Sequence, residues 1–170
     1  MEMWDAIRSR RDVRQFADRA IRREHLDRIL EAGRRSPSAG NGQPWDFVAV
    51  TEREQLVELA EVWRFSHIGG SAANIALVVT RIDDRSRREL QMFDLGQAVM
   101  SMMLAAADLG IGSGHSVVED EQLARRLLDY PADRVCAHLV PLGYPAGRPL
   151  IPLRRPNRRP FADVVHRNRW

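Results

Sequence analysis

The spacing of apolar and polar residues divides the chain into short helices and strands. Met3-Trp4-Asp5-Ala6-Ile7 carries apolar residues at helical spacing, so residues 2–11 read as a first helix. Between Ile21 and Arg35 a stripe of Leu26, Ile29, Leu30 and Ala32 predicts a second, amphipathic helix, with Gly33 and Pro37 marking its end. Residues 36–44 hold two prolines and two glycines in nine positions and read as a loop. Trp45 to Val50 alternates and then becomes wholly apolar, as a half-buried strand does. Glu52 to Phe65 is a helix pattern with Leu56, Leu59, Ala60 and Trp63 on one face, and Gly69-Gly70 breaks it. Asn74 to Thr80 is a continuous apolar run, which predicts a strand central in its sheet. The longest pattern, Arg85 to Leu109, is a helix whose second half, Ala98 to Ala107, is apolar nearly all round. A helix of that kind is buried on every face. A chain this small cannot surround it, which predicts that a partner subunit does. Glu119-Asp120-Glu121 opens a short helix to Leu128, acidic where the helix dipole favours it, and Val135 to Leu142 is a further strand. From Ala146 the chain turns Pro- and Arg-rich, an extended arm. It closes on Phe161, Val164, Val165 and Trp170, anchors that predict docking, with a disordered basic tail as the alternative.

Composition fits one globular domain over residues 1–170. Of its 170 residues 44% are hydrophobic and 29% charged, with a net charge of +3, so disorder is not indicated. All 26 basic residues are arginine. The absence of lysine removes a Schiff-base lysine and a P-loop lysine, and it inflates the isoelectric point to 9.9 without implying nucleic-acid binding. A single cysteine, Cys136, excludes an intrachain disulfide framework and predicts a reducing cytoplasm. No leader pattern opens the chain, and no apolar run approaches the ~18 residues of a membrane span.

Arg10-Arg11-Asp12-Val13-Arg14 is the densest candidate for chemistry. Three guanidinium forks beside one carboxylate suit a compact, multiply charged anion such as a phosphate. A solvated basic helix end is the competing reading. The loop 36–44 offers hydroxyls, amides and free backbone donors beside an aromatic, a lining for a polar heteroaromatic ligand or simply a connecting turn. Gly110, Gly112 and Gly114 follow a helix and lead into a strand, the reverse of a dinucleotide fingerprint, so they read as places where the backbone approaches a flat ligand. There is no G-x-S-x-G elbow and no H-E-x-x-H. Cys136 and His138 read as a buried thiol and a satisfied histidine, and the other histidines lack ligand spacing. Chemistry would therefore come from a bound cofactor, with the arginines holding its phosphate.

Taken together, Arg10-Arg11-Asp12-Val13-Arg14-Gln15-Phe16, Ser36-Pro37-Ser38 with Asn41-Gly42-Gln43-Pro44-Trp45, Asp94-Leu95-Gly96-Gln97-Ala98, Leu109 to Ser113, Leu142-Gly143-Tyr144-Pro145, and Arg158-Arg159-Pro160 with Val164 to Trp170 resemble the successive motifs of the FMN-dependent nitroreductase family. The resemblance covers nearly the whole chain. It implies an α+β fold with a mixed central sheet flanked by helices. It also implies an intertwined homodimer with FMN in two interface pockets and a C-terminal arm, residues 146–170, exchanged between subunits.

By that resemblance Arg10, Arg11 and Arg14 would hold the FMN phosphate and ribityl end, with Asp12 orienting them, and Arg158 and Arg159 would complete the clamp. Pro37, Ser38, Ala39 and Asn41 would approach the flavin from the partner subunit, with Gln43 near the ring edge. Ser116, Val117 and Val118 would pass the ring, a backbone N–H near Val117 facing flavin N5 or O4. The implied reaction is ping-pong hydride transfer from NADH or NADPH through FMN to a nitroaromatic or quinone, with no side-chain acid, base or metal. Three departures stand out. Asp12 occupies a position often held by serine, and R-R-D-V-R also resembles the flavin-fragmenting enzymes that make dimethylbenzimidazole. The phosphate lysine of larger members is missing, with Arg154 or Arg155 available in its place. Insertions that cover the pocket in larger members are reduced, which predicts an open site. Flavin fragmentation and a non-catalytic flavin-binding dimer are the alternatives. An arginine-rich nucleic-acid binder is disfavoured by the interleaved acids.

Overall fold

The computed structural model describes residues 1–154 and 156–170; Arg155, named above as a stand-in for a phosphate lysine, lies outside them. Five helices run in chain order: α1 (Met3–Ser9), α2 (Arg23–Arg34), α3 (Arg53–Ala60), α4 (Arg85–Asp108) and α5 (Glu121–Leu128). Four strands, β1 (Trp45–Val50), β2 (Ala73–Thr80), β3 (Gly112–Ser113) and β4 (Arg134–Gly143), form one sheet in the order β1-β2-β4-β3. The α+β class is as the sequence predicts. All the ladders between these strands are antiparallel, and the mixed character is confined to one parallel bridge between Asp12 and Ser113.

Both faces of the sheet are covered, which explains the unbroken apolar run of β2: every residue from Ala73 to Val79 is buried. On one face α2 and α4 pack through Leu26, Ile29, Ala98, Met102 and Met103 against Ile75, Leu77 and Val140. On the other, α3 and α5 pack through Leu56, Leu59, Ala124 and Leu128 against Val50, Ala76 and Leu139. Gly33 is the penultimate residue of α2 and marks its end as expected. A Cβ there would lie 2.8 Å from Met102 Cγ, so its absence lets α2 and α4 close up. Asp84 and Asp120 cap α4 and α5, each accepting a backbone N–H at 2.8 Å.

Within this one chain α4 is not surrounded. Phe93 (67% exposed) and Met100 face solvent, and so do Met3, Trp4 (66%) and Ile7 of α1. Met3 and Leu104 line a common pocket of 440 Å³ between α1, α2 and α4. The arm behaves alike. Leu150 is buried and Leu153 N–H donates to Arg8 O at 3.1 Å, but Phe161 to Trp170 lie exposed, Trp170 at 99%.

The segment after α1 is fixed by contacts far along the chain. Val13 N–H donates to Ser113 O at 2.9 Å, Ala17 N–H to Tyr144 O at 2.7 Å, and Ala146 N–H to Gln15 O at 3.1 Å. Between these bonds Val13 presses into the place where Gly112 lacks a side chain. A Cβ on Gly112 would come within 2.6 Å of Val13 Cγ2, and one on Gly143 within 2.7 Å of the Phe16 ring. Gly112 and Gly143 therefore admit the arginine segment itself, a use of close approach that the pattern does not specify.

Gly112→Ala should lower stability by about 1–3 kcal/mol, the usual cost of overpacking. Thermal melts of Gly112→Ala, Val13→Ala and the double variant check this: the double variant should lose less than the sum of the single losses, because Val13→Ala removes the clash.

Candidate functional site

Arg10 caps α1 and Arg11 to Arg14 follow in extended chain alongside β3. The seating of Val13 points its neighbours outward. Arg10 Nη1 donates to Asp12 Oδ1 at 2.6 Å, so that carboxylate is already neutralised. Arg11 Nη2 donates to Arg148 O, while its Nη1 is buried without a partner. Burial, then the nearby Arg148, push the Arg11 pKa down; an anion placed there would relieve both. Arg14 is exposed and, among the described residues, has no carboxylate within ion-pair distance.

Two pockets flank this segment and share Asp12, Val13, Arg14 and His67. One, of 550 Å³, is lined further by Arg11, Pro145 and Arg148. The other, of 480 Å³, is bounded by Trp63, Arg64 and Phe65 on one side and by Gly114, His115 and Pro141 on the other. Arg148, His67 and the Trp63–Phe65 wall were not among the expected site residues. Arg148 read only as part of the arm, and nothing in the spacing of residues 63–67 sets them against residues 12–14.

The remaining expected residues are spread out. In the 36–44 loop, Ala39 N–H donates to Asp94 Oδ2 at 3.1 Å, Gln43 N–H to Ser38 Oγ at 2.9 Å, and Ser36 Oγ to Ser101 Oγ at 2.9 Å. The first and last of these bonds hold it to α4 and the second ties the loop to itself, and Pro37, Ser38, Ala39, Asn41 and Gln43 do not line either pocket beside the arginines. Ser116 exchanges both backbone hydrogen bonds with Leu139, leaving its hydroxyl buried and unpartnered. Val117 is exposed, with an N–H that makes no hydrogen bond among the described residues, and Val118 packs inward on the second core. Among the described residues the Arg158 and Arg159 side chains bond within the arm, to Asn157 O and Asp163 O, and not at Arg11 or Arg14.

Cys136 is buried as expected, and burial with Glu121 nearby pushes its thiol up to about 12, an inert state. His138 is not simply a satisfied core residue. Its Nε2 lies 2.8 Å from His115 Nδ1, one nitrogen donating and the other accepting. The 116–139 pairing that joins them is tertiary, which is why the two histidines look unrelated in the sequence.

Comparison with known proteins places this arrangement. The nitroreductase family model matches residues 7–65 and 63–144. The chain belongs to the nitroreductase family. A protein from Archaeoglobus fulgidus named "Putative NADH dehydrogenase/NAD(P)H nitroreductase" is 35% identical, over 96% of this chain and 96% of its own. A protein of the same name from Methanothermobacter thermautotrophicus is 33% identical, over 88% of this chain and 80% of its own. A Desulfovibrio desulfuricans protein solved in complex with FMN is 28% identical and superposes with a TM-score of 0.80, covering 100% of this chain and 98% of its own. In this member of the family the arginine segment, the two pockets and the His115–His138 pair lie together beside β3.

The histidine pair makes a pH prediction. Burial, with repulsion from His115 second, lowers the His138 pKa from 6.5 to about 4. Burial lowers His115 as well, with Arg10 acting in the same direction and Asp12 opposing. Between pH 6.5 and 4 the unfolded chain binds a proton that the folded chain refuses. This contribution to stability is therefore present above 6.5 and lost as the pH falls through 4. Melting temperatures measured across that window should fall less steeply for His138→Gln than for the wild type.

Proposed function

We propose that the protein is an FMN-dependent oxidoreductase that works as a cytoplasmic homodimer. Its reductant is NADH or NADPH and its acceptors are electron-poor compounds such as nitroaromatics or quinones. The observation that carries this reading is the unsatisfied cationic cluster: a buried Arg11 Nη1 with no partner, with Arg14 and Arg148, which have no carboxylate within ion-pair distance among the described residues, all on one 550 Å³ pocket. That donor set fits a phosphate-bearing cofactor. The adjoining 480 Å³ pocket leaves room for a ring against its Gly114, His115 and Pro141 side, opposite the Trp63–Phe65 wall.

Bound there, FMN would supply the hydride chemistry. The chain's own residues bind and orient it. Arg11 and Arg14 take the phosphate end, Arg10 is held in line by Asp12, and Val117, which lines neither pocket of this chain, is the proposed N–H donor to developing negative charge. No side chain is asked to form a covalent intermediate.

Several features support a second subunit. The exposed Trp4, Ile7, Phe93 and Met100 form an apolar surface that one chain leaves open. The arm carries Arg158, Arg159, Phe161 and Trp170 away from its own core. A partner's arm would bring Arg158 and Arg159 to the phosphate, and a partner's loop would bring Pro37, Ser38, Ala39, Asn41 and Gln43 to the ring. Among the described residues no helix is long and apolar enough to cross a membrane.

The purified protein should show a flavin absorption band that bleaches anaerobically with NADH or NADPH and returns when a quinone is added. Loss of the FMN band in air, without acceptor turnover, would replace this reading with flavin fragmentation. Arg14→Ala together with Arg158→Ala should give a folded, colourless protein. Each charge-assisted contact is worth about 1.5–3 kcal/mol, so FMN affinity should fall at least about a hundredfold. Deletion of residues 156–170 should weaken dimerisation and flavin retention together, measured by sedimentation and by absorbance after gel filtration.

A further inference from the structure

The wall of the 480 Å³ pocket opposite the arginine segment has a chemistry of its own. Trp63 and Phe65 meet edge to face, their rings 5.7 Å apart. The Arg64 guanidinium lies over the Phe65 ring, 4.5 Å from its centre. Stacking of this kind holds the planar cation in place and leaves its N–H groups pointing outward.

The charged groups facing this space are unequal. On the arginine segment, Asp12 is already paired with Arg10 at 2.6 Å, and Arg14 is unpaired. From the β3–β4 side His115 faces the pocket, and burial favours its neutral form. From the wall come Arg64 and His67. Arg64 also borders an outer recess with Glu61, Glu119, Asp120 and Glu121, yet none of these lies within ion-pair distance of it among the described residues. Once the phosphate end is assigned to Arg11, Arg14 and Arg148, one guanidinium stacked on an aromatic wall remains without a carboxylate partner among the described residues.

From this we infer that the site selects flat aromatic acceptors carrying an anionic group, a carboxylate or sulfonate, and that Arg64 is the residue that recognises the charge. The inference deepens the oxidoreductase reading and rests on it for the acceptor's turnover, but ligand binding tests it separately. An aromatic ring would lie against Trp63 and Phe65 while its acid group meets the Arg64 fork. An open pocket of this kind selects by charge more than by shape.

The test uses the intact holoenzyme and two matched pairs, 2-naphthoate with 2-naphthamide for binding and 4-nitrobenzoate with 4-nitrobenzamide for turnover. Calorimetry should show the carboxylate binding about five- to tenfold tighter than the amide, the range of one partly exposed ion pair with stacking. The preference should shrink in high salt. Arg64→Gln should abolish it and Arg64→Lys should restore part of it, and kcat/KM for the nitro pair should follow the same order. Equal binding of acid and amide by the wild type overturns the inference. So does a preference that survives Arg64→Gln, and so does an Arg64→Gln protein that only melts lower, which would assign Arg64 to the acidic recess. Flavin content read from the absorption band reports separately on the oxidoreductase reading. Naphthoate preference in a protein without flavin would leave the pocket's selectivity standing and remove the redox role.

Discussion

The site exists because two side chains fit where two others are missing. Val13 occupies the space above Gly112 and Phe16 the space above Gly143, and the backbone bonds from Val13 and Ala17 lock that fit. Neither contact is polar, yet both decide where the guanidinium groups stand. With Val13 pointing into the sheet edge, Arg11 is drawn towards Arg148 and Arg14 is left on the outside. The electrostatics of the pocket are thus set by van der Waals contact at a sheet edge. This matters for a cluster of like charges, which would disperse if its backbone were free.

The secondary structure was legible because its signals are local. The stripe of α2, the unbroken apolar run of β2 and the acidic start of α5 each report the environment of one element. The family was legible because motifs in fixed order survive even where each is short. Three things were not. The glycines of residues 110–114 announce close approach, but a pattern cannot say that at Gly112 the chain's own Val13 does the approaching. Gly33 does sit at the end of α2, but the pattern does not show that it also lets Met102 of α4 close against that helix. Arg148 and His138 gain their meaning from residues 137 and 23 positions away. In each case the missing information was tertiary, a partner and not a propensity.

The apolar surface of α1 and α4 is the other half of that lesson. A sequence that is hydrophobic all round predicts burial without naming what does the burying. In one chain the inner face of α4 is sealed by the sheet and α2, while Phe93 and Met100 stay in water. Removing such surface from water is favourable by about 25 cal/mol per Å², so a second copy is a stronger explanation than tolerance of exposure.

The long reach of the arginine segment also orders events in time. Residues 12 and 113, and 16 and 145, must meet before the pocket has a floor, whereas the helix-on-sheet cores are built from many other contacts. Closing a loop that long costs entropy that only the finished contact repays. A molecule with both cores formed and its first seventeen residues adrift would be folded by most criteria and blind to its ligand. The segment that carries the arginines is thus tied down by a small cluster of its own, Val13 with Ala107 and Leu150, so an anion bound there would stabilise it against local opening without adding to the two larger cores.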